Sequence, residues 1–96
     1  MGHYKDGTYT GSTEDAYYGN VQVSATVSGG KLSDVNFLQY PDSHDTSVMI
    51  NQQAMPYLKQ EAIQAQSAQV QVISGATFTS QAFIQSLTNA LSSARA

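Results

Sequence analysis

Hydrophobic and polar positions alternate most cleanly between Tyr18 and Val27. Val21, Val23, Ala25 and Val27 are apolar, and Gln22, Ser24 and Thr26 between them are polar. That period of two predicts a strand with one buried and one wet face. Ser28-Gly29-Gly30 follows, and a Gly-Gly pair supplies the positive φ angles of a tight hairpin. Leu32 to Tyr40 returns as the partner strand, with Leu32, Val35, Phe37 and Leu38 apolar. Its broken alternation predicts a bulge or a late start. Upstream, Asp6-Gly7 signals a turn and Thr8–Ser12 a short polar strand, with Thr13-Glu14-Asp15 as a loop.

The second half changes period. Val48, Met55, Leu58, Ala62 and Ala65 fall near one helical face, with Asp45 or Thr46 as cap. Pro56 interrupts this run and predicts two helices, 46–53 and 55–66. Val70–Ile73 reads as a short strand. From about Ser80 to Ser93, Phe83, Leu87, Ala90, Leu91 and Ala94 line one helical face. Gln81, Gln85, Ser86, Thr88, Asn89 and Ser92 line the other. Strands first and helices after imply an α+β fold: a small, mainly antiparallel sheet with helices packed on one face. Residues 1–5 read as a loose lead-in and 6–96 as one domain.

The candidate chemistry lies between the last predicted strand and the last helix, in Ser74-Gly75-Ala76-Thr77-Phe78-Thr79-Ser80. A small polar loop opening a helix makes an anion site. The first turn's N–H groups point into the loop, and the helix dipole favours negative charge there. Gly75 and Ala76 allow close backbone approach, and Ser74, Thr77, Thr79 and Ser80 bring four hydroxyls. From the residues alone, a phosphate cradle and an ordinary capped helix start both stand.

Composition narrows the field. The chain has 96 residues, 41% hydrophobic, which suits one small core. No apolar run approaches the roughly 20 residues of a membrane helix. Met1-Gly2-His3 leads directly into polar sequence without a signal-peptide pattern and reads as a trimmed start. Net charge is −3, with only four Lys and Arg, which argues against nucleic acid. The absence of Cys excludes disulfides, thiolate chemistry and Cys-ligated metal. His44 beside Asp45 has no second His nearby and reads as a surface-loop residue.

Ser74-Gly75-Ala76-Thr77-Phe78-Thr79-Ser80 resembles the signature of the FMN-binding domain family. That family includes the flavin-carrying subunits of Na+-translocating NADH:quinone reductase and of related ion-pumping ferredoxin-oxidising complexes. Asp6-Gly7-Thr8-Tyr9, Tyr18 to Val23, Gly30-Lys31-Leu32, Tyr40-Pro41 and Ala54-Met55-Pro56 are similar to its small secreted members. The resemblance implies an FMN-carrying electron-transfer module without turnover of its own, on the extracytoplasmic side, exchanging electrons with a membrane-bound partner. It implies Thr77 as acceptor of FMN through a phosphoester installed by a flavin transferase. Ser74, Gly75, Ala76, Thr79 and Ser80 would shape the phosphate cradle. Phe78, Tyr18, Gly19 and Met55 are the candidates to seat the flavin ring, since an aromatic ring needs flat apolar or backbone surface. One position departs: the transferase's preferred motif has Asp where this chain has Gln71. Three readings follow: covalent FMN, noncovalent FMN, and a flavin-free binding module.

Overall fold

The computed structural model describes residues 4–16, 19–40, 45–73 and 76–95, with the backbone alone for 45–53. Four strands, β1 (Gly7–Thr10), β2 (Glu14–Asp15), β3 (Asn20–Ser28) and β4 (Lys31–Gln39), precede two helices, α1 (Asp45–Ala65) and α2 (Thr77–Ser93). All strand pairings are antiparallel. β3 is central: β1 and β2 pair in succession along one edge, and β4 pairs along the other. This is the α+β sheet-and-helix arrangement that the pattern predicts.

The alternation in β3 becomes burial. Val21, Val23, Ala25 and Val27 are buried beside Leu32 and Val35 of β4. All of these but Val27 share one cluster with Leu58 and Ala62 of α1 and Phe83, Leu87, Ala90 and Leu91 of α2. Phe37 stacks on Phe83 with ring centroids 5.3 Å apart. Gly29 and Gly30 have φ of 65° and 79°, the two positive values a two-residue hairpin turn needs. β4 carries the expected irregularity, with register shifts against Gln22/Val23 and Thr26/Val27. One shift falls at Leu38, which is 50% exposed despite its apolar side chain.

Several expectations need correction. Glu14-Asp15 is a strand rather than a loop, because it continues the edge that β1 leaves at Thr10. The two helices around Pro56 are one. Pro56 removes one backbone donor, but Ala54, Leu58 and Ala62 remain buried across it, so packing holds the helix together. Ala65, expected on that face, is exposed. Val70–Ile73 pairs with no strand. Its N–H groups bond locally instead, Val70 to the Ala68 carbonyl at 2.9 Å and Ile73 to Ser80 Oγ at 3.1 Å. Val70 and Ile73 still pack against the core while Val72 points outward. Tyr4 and Lys5, read as lead-in, bond to the fold: Lys5 N–H donates to the Ala94 carbonyl at 2.7 Å and Tyr4 Oη to the Gln66 carbonyl at 2.9 Å.

Ser86 is a further correction. Expected on the polar face of α2, it is fully buried. The β1–β3 ladder ends where Gly11 N–H donates to the Val23 carbonyl at 2.8 Å. The Gly11 carbonyl then accepts from Gln22 Nε2 at 3.0 Å, and the Val23 N–H donates to Ser86 Oγ at 3.0 Å. A buried N–H without an acceptor is costly, so the helix supplies one. Among the described residues no buried side-chain polar atom lacks a partner.

Gln66 closes α1. Its φ of 56° is left-handed, its N–H bonds Ile63 O, and Ser67 N–H bonds Ala62 O, both at 3.3 Å. That is the Schellman arrangement, here with Gln in place of Gly. The Gln66 carboxamide then serves the edge of β4: Oε1 accepts from Leu32 N–H at 2.7 Å and Nε2 donates to the Leu32 carbonyl at 2.9 Å. It thus stands in for one residue of a fifth strand and blunts an exposed edge. Gln66→Ala is expected to lower stability by about 2 kcal/mol in urea titration, because both Leu32 groups lose their partner. Gln66→Gly, relieved of left-handed strain, recovers only part. Nearby, Lys59 Nζ lies 2.9 Å from Asp34 Oδ1, and its hydrogen bond holds that carboxyl below the ordinary aspartate range. Both side chains are well exposed, so the pair contributes little.

Candidate functional site

α2 begins at Thr77, three residues earlier than the pattern predicts. Its N-cap, Ala76 (φ −129°, ψ 40°), offers no side-chain cap, and the first turn contains no acidic residue. Neither the N-cap residue nor the helix's own first turn thus brings a side chain to offset its N-terminal positive pole. Thr77 and Phe78 are exposed at its start, with Phe78 at 49%. Thr79 and Ser80 face inward and are buried. Of the four hydroxyls expected in the cradle, Thr77 is thus outward and Thr79 and Ser80 are turned to the interior. Ser74 and Gly75 lie outside the described residues, as do Tyr17, Tyr18 and His44.

Two sets of contacts show which end of the molecule this is. Ser86 Oγ meets Val23 in mid-sheet, while Ala94 and Lys5 meet beyond the hairpin end, where Tyr4 N–H also reaches the Gly30 carbonyl at 3.4 Å. α2 therefore runs in the same direction as β3. From Ser86 back to Thr77, and from Val23 back to Gly19, the chain covers about 13 Å in each case, at roughly 1.5 and 3.3 Å per residue. Thr77 comes level with Gly19, where β3 begins and β4 ends. The Gly19 carbonyl accepts from Ala16 N–H at 2.8 Å and closes the turn between β2 and β3.

Met55 is half-buried on α1, between the buried Ala54 and Leu58. α1 runs against β4, with Gln66 at Leu32 and Lys59 at Asp34. Met55 is therefore level with Phe37 and Phe83, about 9 Å inward from Thr77 along the molecule. Thr77, Phe78 and Gly19 share one end, and Met55 stands behind it. Sequence reasoning did not single out Leu38 and Tyr40, which are 50% and 42% exposed at this same end. Their signal was the lapse in β4 alternation after Phe37.

Charge is divided between the two ends. β2, with Glu14 and Asp15, lies beside Thr77's end of the sheet. Lys5, Lys31 and Arg95 lie at the hairpin end, and Lys59 is paired with Asp34. These are all four cations of the chain. A phosphate at Thr77 would meet backbone donors and a helix dipole, with no Lys or Arg. The donor set fits a phosphate group: an uncapped helix start, the small Ala76 before it and an exposed hydroxyl on its first residue. Among the described residues, no cluster of His, Asp and Glu could hold a metal ion, and no helix is long and apolar enough to cross a membrane.

Gln71, where the resemblance expects Asp, is exposed, and its N–H lies 3.4 Å from Glu61 Oε2. These two residues, with Tyr57, Gln60 and Gln64, line an open polar pocket of about 460 Å³ between α1 and the segment leading to Thr77.

Comparison with known proteins bears on the family and the fold. No curated protein matches. Among solved structures, the crystal structure of the CPE2226 protein from Clostridium perfringens is similar, with a TM-score of 0.73 and 26% identity, over 95% of this chain and 88% of that one. The profile of the FMN-binding domain matches residues 16–92, which run from just after β2 through β3, β4 and α1 to the last turn of α2 and include the whole signature. The chain belongs to the FMN-binding domain family, and its cofactor is FMN.

Proposed function

We propose that this domain is an electron carrier in which FMN is held at the start of α2 through a phosphoester to Thr77. The observation that carries the covalent reading is the distribution of charge. The phosphate would sit at an uncapped helix N-terminus while all four cations lie at the hairpin end or in the Lys59–Asp34 pair. A helix terminus alone attracts an anion by only about 0.3–1 kcal/mol at an exposed site. That is too little to retain a soluble dianion, whereas a covalent bond needs no ion pair. In the bond-forming step, Thr77 Oγ1 joins the flavin's phosphorus, the hydroxyl proton leaves to a base, and the leaving group departs from phosphorus with its electron pair. A flavin transferase supplies the activated flavin and the base.

FMN carries the redox chemistry, and the chain binds and orients it. Phe78, Leu38 and Tyr40 are the apolar surface at this end against which the ring would rest, with Gly19 offering bare backbone. Tyr18, adjacent in sequence to Gly19, belongs to the same proposal. In this reading the domain carries electrons without turnover of its own. The partners are the transferase and a membrane-bound redox protein on the extracytoplasmic side.

The test is intact mass under denaturing conditions after co-expression with a flavin transferase. The expected result is a gain of one FMN less water. An unshifted mass with a yellow native sample replaces this reading by noncovalent FMN, and an unshifted, colourless sample by a flavin-free module. In the same assay Gln71→Asp is expected to raise the labelled fraction severalfold. Equal labelling would mean that Gln71 does not weaken transferase recognition.

A further inference from the structure

Ser80 is wholly buried, yet its hydroxyl reaches both ends of the short segment that precedes Thr77. It accepts from the Ile73 N–H at 3.1 Å and donates to the Ala76 carbonyl at 2.7 Å. A third bond, from Ala76 N–H to the Ile73 carbonyl at 2.9 Å, links the same two residues directly. The Ala76 carbonyl also accepts the first intrahelical bond, from Ser80 N–H at 2.9 Å. One serine thus joins the extended segment, the N-cap residue and the first turn of the helix. A serine that only bonds back to the carbonyl four residues earlier is common in helices and positions nothing. The difference here is the Ile73 N–H, which lies outside the helix and in a segment that pairs with no strand. Without Ser80 that donor loses its acceptor, and the segment ending at Ile73 loses its tether to α2.

We infer that Ser80 is the positioning residue of the flavin site: its hydroxyl pins Ile73 and Ala76 to α2 and so fixes the N-cap residue beside Thr77. The inference rests on the reading that FMN is held at Thr77. Ser80 touches neither phosphate nor ring. It acts through Ile73 and Ala76, by holding the start of α2 at a fixed place before the flavin arrives, the kind of placement to which group transfer and anion binding are most sensitive.

Ser86 provides a matched control. It lies on the same helix, is equally buried, and likewise gives its hydroxyl to a backbone N–H, that of Val23. The experiment compares wild type, Ser80→Ala and Ser86→Ala by thermal unfolding, by hydrogen exchange at the Ile73 amide and by flavin per chain after co-expression with a transferase. It adds the phosphorus resonance of the loaded proteins. Expected for Ser80→Ala are Ile73 protection reduced about tenfold relative to Ser86→Ala, flavin uptake slower by about tenfold or more, and a displaced phosphorus resonance. Ser86→Ala is expected to lose comparable thermal stability while keeping wild-type uptake and resonance. Unchanged Ile73 protection in Ser80→Ala overturns the tether. A lost tether with unchanged uptake and resonance, or an equal loss of uptake in Ser86→Ala, overturns the positioning role. If wild type takes up no flavin while Ser80→Ala frees the Ile73 amide, the positioning role and the proposed function fall together, and the tether alone survives.

Discussion

Thr77→Ala is expected to yield a folded domain that carries no covalent flavin. The hydroxyl of Thr77 is exposed at the first residue of α2, and the adjacent buried bonds belong to Ser80. Removing the hydroxyl leaves the core untouched, and Ala is the better helix former, so unfolding should shift by under about 0.5 kcal/mol. The loss of attachment should be complete, because Oγ1 is the atom proposed to join phosphorus. Thr77→Ser, which keeps an oxygen at the same place, should keep the bond. Flavin that stays with denatured Thr77→Ala chain would move the attachment to another hydroxyl. The exposed start of α2 offers no second candidate among the described residues, since Thr79 and Ser80 face inward.

Gly11→Ala is expected to be the most damaging single methyl in the molecule. Gly11 stands where β1 ends and α2 crosses closest to the sheet. A Cβ built there would overlap the Ser86 carbonyl oxygen and lie 2.7 Å from the Ser86 hydroxyl oxygen. Ser86 cannot withdraw, because its hydroxyl holds the Val23 N–H at 3.0 Å. Nor can Gly11, whose N–H donates to the Val23 carbonyl at 2.8 Å. The helix must lift, and Phe83 and Leu87, buried beside this contact, lose packing with it. Overpacking of this kind costs about 3 kcal/mol. In a domain of this size that is a fall in melting temperature of roughly 12–24 °C. Thermal unfolding measures it. A fall of a few degrees would mean that α2 can shift without loss, and that its distance from β3 is not set by this contact. Because α2 also carries Thr77, flavin uptake should fall alongside stability in this variant. Thr77→Ala separates the two.

The sequence by itself determined the parts of this protein that rest on local periodicity. Alternation from Val21 to Val27 placed the central strand, and two glycines placed its turn. Spacings of three and four from Phe83 to Ala94 placed the last helix and its buried face. The small-residue signature marked where the proposed site lies, because helix starts and close backbone approach require particular residue types wherever they occur.

Only the tertiary structure decided the rest. Glu14-Asp15 became a strand because β3 still had an unpaired edge there, and Val70–Ile73 did not, its Ile73 N–H being held by Ser80 of α2 instead of by a strand. Pro56 stayed inside one helix because burial on both sides outweighed one missing donor. Ser86 and Gln66 look like ordinary polar surface residues. Each is committed to a backbone group far along the chain, at Val23 and Leu32, and no local pattern encodes a partner more than thirty residues away. The site divides the same way: Thr77 could be named from its neighbours in sequence. That it stands level with Gly19, that Leu38 and Tyr40 lie at the same end, and that every cation is elsewhere follow from the direction of α2 over the sheet, which packing alone sets.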